Sequence, residues 1–310
     1  MPFVLKPRAP KPALDRMDVY ERVTNRILAA LEQGTRPWMR PWEVAGPDGH
    51  VSRPLRSNGQ PYQGVNVFLL WSAAIAAGYT NPMWITYKQA LELGGSVRKG
   101  ETGELVVYAN RLTRAVEGKG GQEERRSFYF MKGYTVFNVE QCEGLPERMT
   151  PTPDADMPLE TRVSAAVAFF QATGANVRHG GNRAFYDITS DRIQLPPVKR
   201  FKGQHSYAAT YAHELVHWTG AGARLKRTFG TRFGDEQYAR EELVAELGSA
   251  FLCADLGIIP EVQANHESYI GRWVKLLQQD KRAIFQAASQ AQRAANYLHD
   301  LQAPSVALAA

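Results

Sequence analysis

Two histidines and a glutamate occur within five residues in the run His213-Glu-Leu-Val-His217. The surrounding segment 207–218 is helix-prone, so histidines four residues apart project from one face of a helix and can bind the same cation. Glu214 follows the first histidine, where its carboxylate can act as a general base on a water molecule without binding the cation. The pattern predicts a divalent-metal site for hydrolysis, with His213 and His217 as ligands and Glu214 as the catalytic residue.

The alternative interpretation of this run is a pair of surface histidines beside a solvated glutamate. At the His and Glu content of this chain, such a pattern arises by chance on the order of once in a hundred proteins of this length. A metal site is therefore the better interpretation, provided that a further ligand is present.

Hydrolytic metal sites use three protein ligands and leave one position open for water. The helix-prone segment 238–252 supplies three glutamates, and its leucine, valine and phenylalanine residues indicate a buried helix. Buried carboxylates need partners. We expect Glu242 to be the third ligand and Glu246 to accept a hydrogen bond from a ligating histidine. The reverse assignment of these two residues is open, and Glu241 is the remaining carboxylate.

Two imidazoles and one carboxylate favour Zn²⁺, with Mn²⁺ or another divalent ion as the alternative. Hydrolysis of a carbonyl compound also needs a hydrogen-bond donor for the oxyanion. Four residues in or next to these segments could supply that donor, and their spacing does not distinguish among them: Tyr207, Tyr211, Tyr238 and His205.

The positive charge of the chain is concentrated in its first half. The net charge is +6, and about 20 basic residues stand against 15 acidic residues through Arg148. Such an excess permits binding to polyanions. The segments 36–42 and 53–62 also alternate aromatic residues with arginines and turn residues.

Exposed aromatic rings stack on unpaired bases with about 1–3 kcal/mol per base, and nearby cations neutralise phosphates. The two segments therefore favour binding to single-stranded nucleic acid. The predicted contacts are Arg36, Trp38, Arg40, Trp42, Arg53, Arg56 and Tyr62. The alternative is that these aromatic residues form part of a hydrophobic core.

The periodicity of apolar residues predicts an α+β protein with two domains. In the first half it predicts helices over 18–32, 66–77 and 87–93, and strands within 105–109, 128–131 and 134–139, with an exposed loop over 117–126. A run rich in proline follows and marks the boundary between the domains. We therefore predict a domain of mixed α/β structure over 1–149, a linker over 150–158 and a mainly helical domain over 159–310. In the second domain we expect a β-hairpin over 183–196 and one amphipathic helix over 268–301.

Cysteine content and hydropathy exclude two classes of protein. Cys142 and Cys253 are too few for a disulfide framework and are not spaced like a thiolate zinc site. No run approaches the roughly 18 consecutive apolar residues that a membrane span needs, and residues 1–16 lack the apolar core of a signal peptide. We therefore expect a cytoplasmic protein without a membrane partner.

Motifs in both halves resemble one known family. Segments of the first half are similar to the N-terminal domain of the ArdC family of plasmid antirestriction proteins: Arg36-Pro-Trp, Trp42, Asn58-Gly-Gln-Pro-Tyr-Gln-Gly-Val-Asn66, Trp84-Ile-Thr-Tyr-Lys-Gln-Ala90, Gly94-Gly-Ser-Val-Arg-Lys-Gly-Glu101 and Tyr134-Thr-Val-Phe-Asn138. Two segments of the second half, 213–220 and 238–246, resemble the zincin-like metallopeptidase domain of that family. The resemblance extends over nearly the whole chain.

The resemblance implies a nucleic-acid-binding domain for single-stranded DNA joined to a zincin-like metallopeptidase domain. Such a protein protects incoming conjugative DNA from host restriction enzymes. Carried onto this sequence, the resemblance places the metal ligands at His213, His217 and either Glu242 or Glu246, with Glu214 as the catalytic carboxylate.

Two functional hypotheses follow. In the first, the chain is a metallopeptidase that is guided by single-stranded DNA to a protein substrate, such as a component of a restriction system. In the second, it is a DNA-binding protector whose metal site is structural or vestigial. A nuclease is the third choice, since the predicted ligands are less rich in carboxylates than a phosphodiester-cleaving site.

Overall fold

The structure, a computed structural model, describes residues 18–38, 52–117, 123–149, 157–230, 235–260 and 267–302. Most of the predicted linker 150–158 and two predicted DNA contacts, Arg40 and Trp42, lie outside these residues. Helices and strands occur in both halves, as the α+β prediction requires.

Three helices of the first half agree with the predicted ranges to within one residue at each end. They are α1 (Val19–Glu32), α2 (Val65–Ala77) and α3 (Tyr87–Glu92). The ends of these helices follow from local chemistry. The Thr86 hydroxyl accepts the Gln89 backbone N–H at the start of α3, and α2 ends at Gly78, whose φ of 72° favours glycine.

The first half contains a four-stranded sheet with the order β1-β2-β5-β4. Its strands are β1 (Leu55–Arg56), β2 (Met83–Ile85), β4 (Glu104–Glu117) and β5 (Glu123–Asn138). A separate pair is formed by β3 (Ser96–Val97) and β6 (Cys142–Glu143).

The strands β4 and β5 form a long antiparallel hairpin whose pairing runs from Glu104 opposite Val136 to Glu117 opposite Glu123. The predicted separate strands 128–131 and 134–139 are one strand, because Gly133 pairs with Val107 without interrupting the ladder. The predicted loop over 117–126 is wrong at both ends, because Glu117 and residues 123–126 pair within the strands through charged residues that propensity assigns to a loop. Residues 118–122 lie outside the described part of the chain.

The second half combines helices with a three-stranded sheet of order β7-β9-β8. The strands β8 (Phe185–Asp187) and β9 (Arg192–Leu195) are antiparallel, which confirms the predicted hairpin, and β7 (Asn176–His179) pairs with β9 in parallel. The helices are α4 (Leu159–Ala172), α5 (Gln204–Thr219), α6 (Glu236–Asp255), α7 (Glu267–Gln279) and α8 (Ala283–Asp300).

The prediction of one helix over 268–301 is wrong, because α7 and α8 are separated at Asp280. The Asp280 carbonyl accepts the Ala283 N–H, and its side chain accepts the Arg282 N–H at 2.9 Å. An aspartate that bonds to nearby backbone competes with the helical pattern. Both helices bury apolar residues, so the apolar periodicity of the sequence continues across this break. The turn therefore could not be recognised from that periodicity.

The two halves share one hydrophobic core. The Phe68 ring of α2 stacks on the Phe251 ring of α6, with centroids 4.9 Å apart and planes 7° apart. Trp38 meets Trp273 of α7 edge to face with centroids 5.9 Å apart. The buried Arg53 also donates to Asp255 of α6 at 2.7 Å, so apolar and polar contacts both join the halves.

None of the helices in the described part of the chain is long and apolar enough to cross a membrane.

A shared core predicts that damage in one half destabilises the other. Phe68→Ala should lower the free energy of unfolding by about 3–5 kcal/mol, and amide hydrogen exchange should accelerate in α6 as well as in α2. Tyr87→Ala, at a side chain that is 54% exposed, should change neither. Loss of protection confined to α2 would contradict the shared core.

Candidate metal site

The helices α5 and α6 pack closely and place their polar residues face to face. A Cβ atom on Gly248 would lie 2.8 Å from Cγ1 of Val216, so only glycine permits this approach of the two helices. His213 and His217 are consequently buried on α5, opposite the glutamates of α6.

His213, His217 and Glu242 form a cluster whose three potential ligand atoms lie within 4.8 Å of one another. The Nε2 atoms of the two histidines are 3.1 Å apart. The Glu242 carboxylate oxygens lie 3.7 Å from His213 Nε2 and 3.6 Å from His217 Nε2. Two nitrogens and a carboxylate that converge on one point fit a divalent metal.

The electrostatics of the cluster favour a cation. Burial opposes a charge on His213, but its hydrogen bond with Glu242 and the negative charges of Glu214, Glu242 and Glu246 raise the pKa of His213 to about 9. Burial likewise opposes a charge on Glu242, but His213, His217 and a hydrogen bond from Tyr238 lower the pKa of Glu242 to about 2. The surplus of carboxylates thus holds positive charge at the point where the ligand atoms converge.

Among the residues considered as oxyanion donors, Tyr238 contacts the cluster. Its hydroxyl donates to Glu242 and lies 3.0 Å from the Tyr269 hydroxyl. The Tyr207 hydroxyl instead lies 2.9 Å from His179 Nε2, and Tyr211 packs against Phe170. Tyr238 therefore orients Glu242.

Glu241 supports His217, a role that the sequence did not indicate. Its Oε1 atom lies 3.1 Å from His217 Nδ1 and 2.8 Å from Arg227 Nη2. Arg227 also donates to the Val216 carbonyl near the end of α5. Burial raises the pKa of Glu241, but His217 and Arg227 outweigh that effect and lower it. Arg227 lies in an irregular segment, so no helical spacing links it to Glu241.

Glu246 faces the other histidine and receives its donors from the first half of the chain. Its Oε2 atom lies 4.0 Å from His213 Nδ1. Its Oε1 atom accepts from Arg36 Nη1 at 3.1 Å and from Trp38 Nε1 at 3.3 Å. Glu242 faces the Nε2 atom of His213, and Glu246 faces the Nδ1 atom of the same ring. The geometry therefore favours Glu242 as the third metal ligand and Glu246 as the carboxylate that supports His213.

These contacts correct the expected exposure of the predicted DNA contacts. Trp38 is 0% exposed and Tyr62 is 3% exposed, so neither ring face is open to a base. Arg36 and Arg53 are buried in contacts with α6, and Arg56 is exposed. The alternative interpretation, that the aromatic residues belong to the core, is therefore correct for Trp38 and Tyr62. In a run that alternates arginine and aromatic residues, the rings can fill a core while the arginines pair with carboxylates of the protein.

Glu214 is buried beside the cluster and accepts a hydrogen bond from the Tyr186 backbone N–H of β8. Burial raises the pKa of Glu214, although the two histidines act in the opposite direction. In the sheet order β7-β9-β8, the strand β8 is an edge. The predicted general base therefore lies between the cluster and a strand edge.

The contacts of Glu246 predict that the first half of the chain supports the metal site. Glu246→Gln removes the charge that faces His213, and its affinity for Zn²⁺ should fall by roughly 10-fold or more. Trp38→Phe removes only the indole N–H and should cause a smaller loss, because Arg36 still donates to Glu246. Competition with a chromophoric chelator measures both affinities.

Arg53→Lys is the matched control for these variants. Arg53 is also a buried arginine of the first half, but it bonds to Asp255 and Gln292 rather than to Glu246. We expect this variant to lower the melting temperature and to leave the affinity for Zn²⁺ unchanged. Equal affinities in Glu246→Gln and the wild type would contradict the support by Glu246.

Comparison with known families gives two matches along the chain. The model of the N-terminal domain of anti-restriction factor ArdC matches residues 17–137, and that of a zincin-like metallopeptidase matches residues 164–290. The cluster and Glu214 lie within the second match. A divalent-metal site is consistent with a zincin-like domain.

Several relatives are similar over nearly the whole chain. The uncharacterized protein y4eC of Sinorhizobium fredii is 40% identical over 92% of this chain and 92% of its own length. DNA primase TraC of Escherichia coli is 38% identical over 90% of this chain, which spans only 27% of that protein.

Two solved structures share the fold. The metal-free crystal structure of antirestriction protein ArdC from plasmid R388 is 44% identical, with a TM-score of 0.77 and coverage of 92% of this chain and 97% of that chain. Its Mn(II)-bound structure is 42% identical, with a TM-score of 0.74 and coverage of 92% and 98%. The chain therefore belongs to the ArdC family of antirestriction proteins, in which an ArdC N-terminal domain precedes a zincin-like metallopeptidase domain.

Proposed function

We propose that this chain is a cytoplasmic antirestriction protein that binds single-stranded DNA and cleaves a protein substrate at a zinc site. In this proposal it protects incoming conjugative plasmid DNA from host restriction. The observation that carries the peptidase activity is the convergence of His213, His217 and Glu242 with the buried carboxylate of Glu214 beside them.

Zn²⁺ is the metal that two imidazoles and one carboxylate favour. Mn²⁺ is the alternative, and it is the ion bound in one structure of the R388 protein. When bound, the metal supplies Lewis-acid activation of the reacting water and carbonyl. In support of this arrangement, Glu241 and Glu246 face the Nδ1 atoms of the two histidines, which leaves the Nε2 atoms for the ion.

Glu214 acts as the general base and then as the general acid. Its carboxylate takes a proton from the attacking water and delivers it to the leaving amine. The pKa of Glu214 is raised by burial, which suits a group that must both accept and return a proton. The N–H of Tyr186 fixes the orientation of the carboxylate through a hydrogen bond.

The edge of β8 suits an extended peptide substrate. Edge strands can pair with a further strand through their outward backbone groups, and at Tyr186 of β8 one of these groups, the N–H, already donates to Glu214. A peptide that pairs with this edge lies next to the general base. We expect the protein substrate to be a component of a restriction system, because its cleavage would produce antirestriction.

A second candidate function is that of a DNA-binding protector whose metal site is structural. The observation that favours it is burial, since His213, Glu214 and His217 are only 5%, 4% and 8% exposed. Closed sites are typical of structural metals. In that case Glu214 stabilises the fold and no peptide is cleaved.

Glu214→Gln distinguishes the two functions because it removes the base and retains the shape of the side chain. If the chain is a peptidase, this variant should cleave a candidate restriction subunit at least about 100-fold more slowly than the wild type. Its binding of Zn²⁺ and DNA should be unchanged. Restriction of a conjugated plasmid in recipient cells should also increase. Glu160→Gln, at an exposed position of α4, is the matched control.

Full protection by a folded Glu214→Gln variant would favour the structural metal site. Undiminished cleavage by that variant would exclude Glu214 as the base.

DNA binding by the full chain has its own test. We expect fluorescence anisotropy to show higher affinity for a labelled single strand than for the corresponding duplex, with affinity falling steeply as salt increases. Equal affinity for both forms would contradict recognition of unpaired bases.

A further inference from the structure

Trp38 and Tyr62 are buried, and Trp42 lies outside the described residues, so within the described part of the chain the proposed DNA binding needs other aromatic rings for unpaired bases. Two tyrosines of the β4–β5 hairpin are exposed, Tyr108 at 49% and Tyr134 at 36%. Neither lies in the segments 36–42 and 53–62, in which the sequence predicted the DNA contacts, because a tyrosine in a strand is equally expected as a plain strand former.

The register of the hairpin places both tyrosines on one face. Tyr108 pairs with Lys132, and Val106 pairs with Tyr134. Residues that pair directly lie on the same face, as do residues two positions apart in one strand. Tyr108 and Tyr134 are therefore diagonal neighbours, with the exposed Lys132 beside them.

Arg56 of β1 is held close to this face through Tyr62. The Arg56 guanidinium lies 5.3 Å from the centroid of the buried Tyr62 ring, and the hydroxyl of Tyr62 is hydrogen-bonded to that of Tyr134. The Arg56 side chain is exposed. The buried Tyr62 therefore contacts both the exposed Tyr134 side chain and the Arg56 guanidinium and holds them close together. We call Arg56, Tyr108, Lys132 and Tyr134 the tyrosine face.

The other side of the hairpin is occupied by the protein itself. A Cβ atom on Gly133 would lie 2.8 Å from Leu105 Cδ1 and 3.7 Å from Val19 Cγ2, so the chain packs helix α1 against this side. Val106 and Val136 on the side of the tyrosine face are also buried, but the rings of Tyr108 and Tyr134 on that side remain exposed to a ligand.

The chemistry of the tyrosine face favours a single-stranded polyanion. An exposed ring can stack on a base only when that base is unpaired, and arginine and lysine neutralise phosphates of the same strand. An acidic peptide would use the two cations but would not need the rings. A duplex would present phosphates while its bases remain stacked on one another.

We propose that the tyrosine face binds single-stranded DNA, with bases stacked on Tyr108 and Tyr134 and phosphates paired with Arg56 and Lys132. This inference rests on the proposed function and assigns a location to its DNA binding.

The test is anisotropy of a labelled oligothymidylate with the full chain. The double variant Tyr108→Ala and Tyr134→Ala should bind at least about 10-fold more weakly, given the stacking energy per base. The double variant Tyr108→Phe and Tyr134→Phe keeps both rings and loses the hydroxyl bond of Tyr134 to Tyr62, so it should retain most of the wild-type affinity. Tyr108→Ala alone leaves Tyr134 and its bond to Tyr62 intact and should show part of the loss.

Charge is tested separately with Arg56→Ala and Lys132→Ala. Each lost phosphate contact should reduce the slope of log affinity against log salt by about 0.7 for a single strand. Lys275→Ala with Arg293→Ala is the matched control, since it removes two exposed cations from α7 and α8. This control should bind like the wild type.

The outcomes separate the two proposals. If the wild type does not bind the single strand, the proposed DNA binding fails. If the wild type binds and the Tyr108→Ala and Tyr134→Ala variant binds equally well, only the tyrosine face is refuted. Equal competition by polyglutamate would also overturn it, because such a surface would recognise charge without bases.

Discussion

Three carboxylates on α6, of which Glu241 and Glu246 are buried and Glu242 is partly buried, determine which parts of the chain must meet. A buried carboxylate without partners costs several kcal/mol or loses its charge, so each one fixes the position of its donors. The donors come from distant parts of the sequence: Arg227 and His217 for Glu241, His213 and Tyr238 for Glu242, and Arg36 and Trp38 for Glu246. One helix thus joins α5, the loop after it and the segment after α1.

This arrangement explains why a motif for nucleic-acid binding and a buried contact can look alike in sequence. Arg36 and Trp38 combine a cation with an aromatic ring, as a DNA contact would. In the structure, the ring fills the core against Trp273 and both N–H groups satisfy Glu246. The same chemistry that neutralises a phosphate therefore neutralises a carboxylate of the protein itself.

The sequence predicted what depends on local spacing. Helical periodicity located α1, α2 and α5, and the four-residue spacing of His213 and His217 brought their rings together. Local spacing could not predict which glutamate supports which histidine. Glu241, for example, contacts His217 and is held by Arg227, which lies in an irregular segment. The turn at Asp280 was also hidden, because apolar periodicity continues through it. Partner choice among buried polar groups is decided by tertiary packing, which leaves no periodic signal.

The common core of the two halves has a consequence for inheritance. A recombination event between them would separate Phe68 from Phe251 and Arg53 from Asp255, leaving each product with a bare apolar surface and an unmatched charge. Selection should therefore keep the two halves of the chain together as one inherited unit.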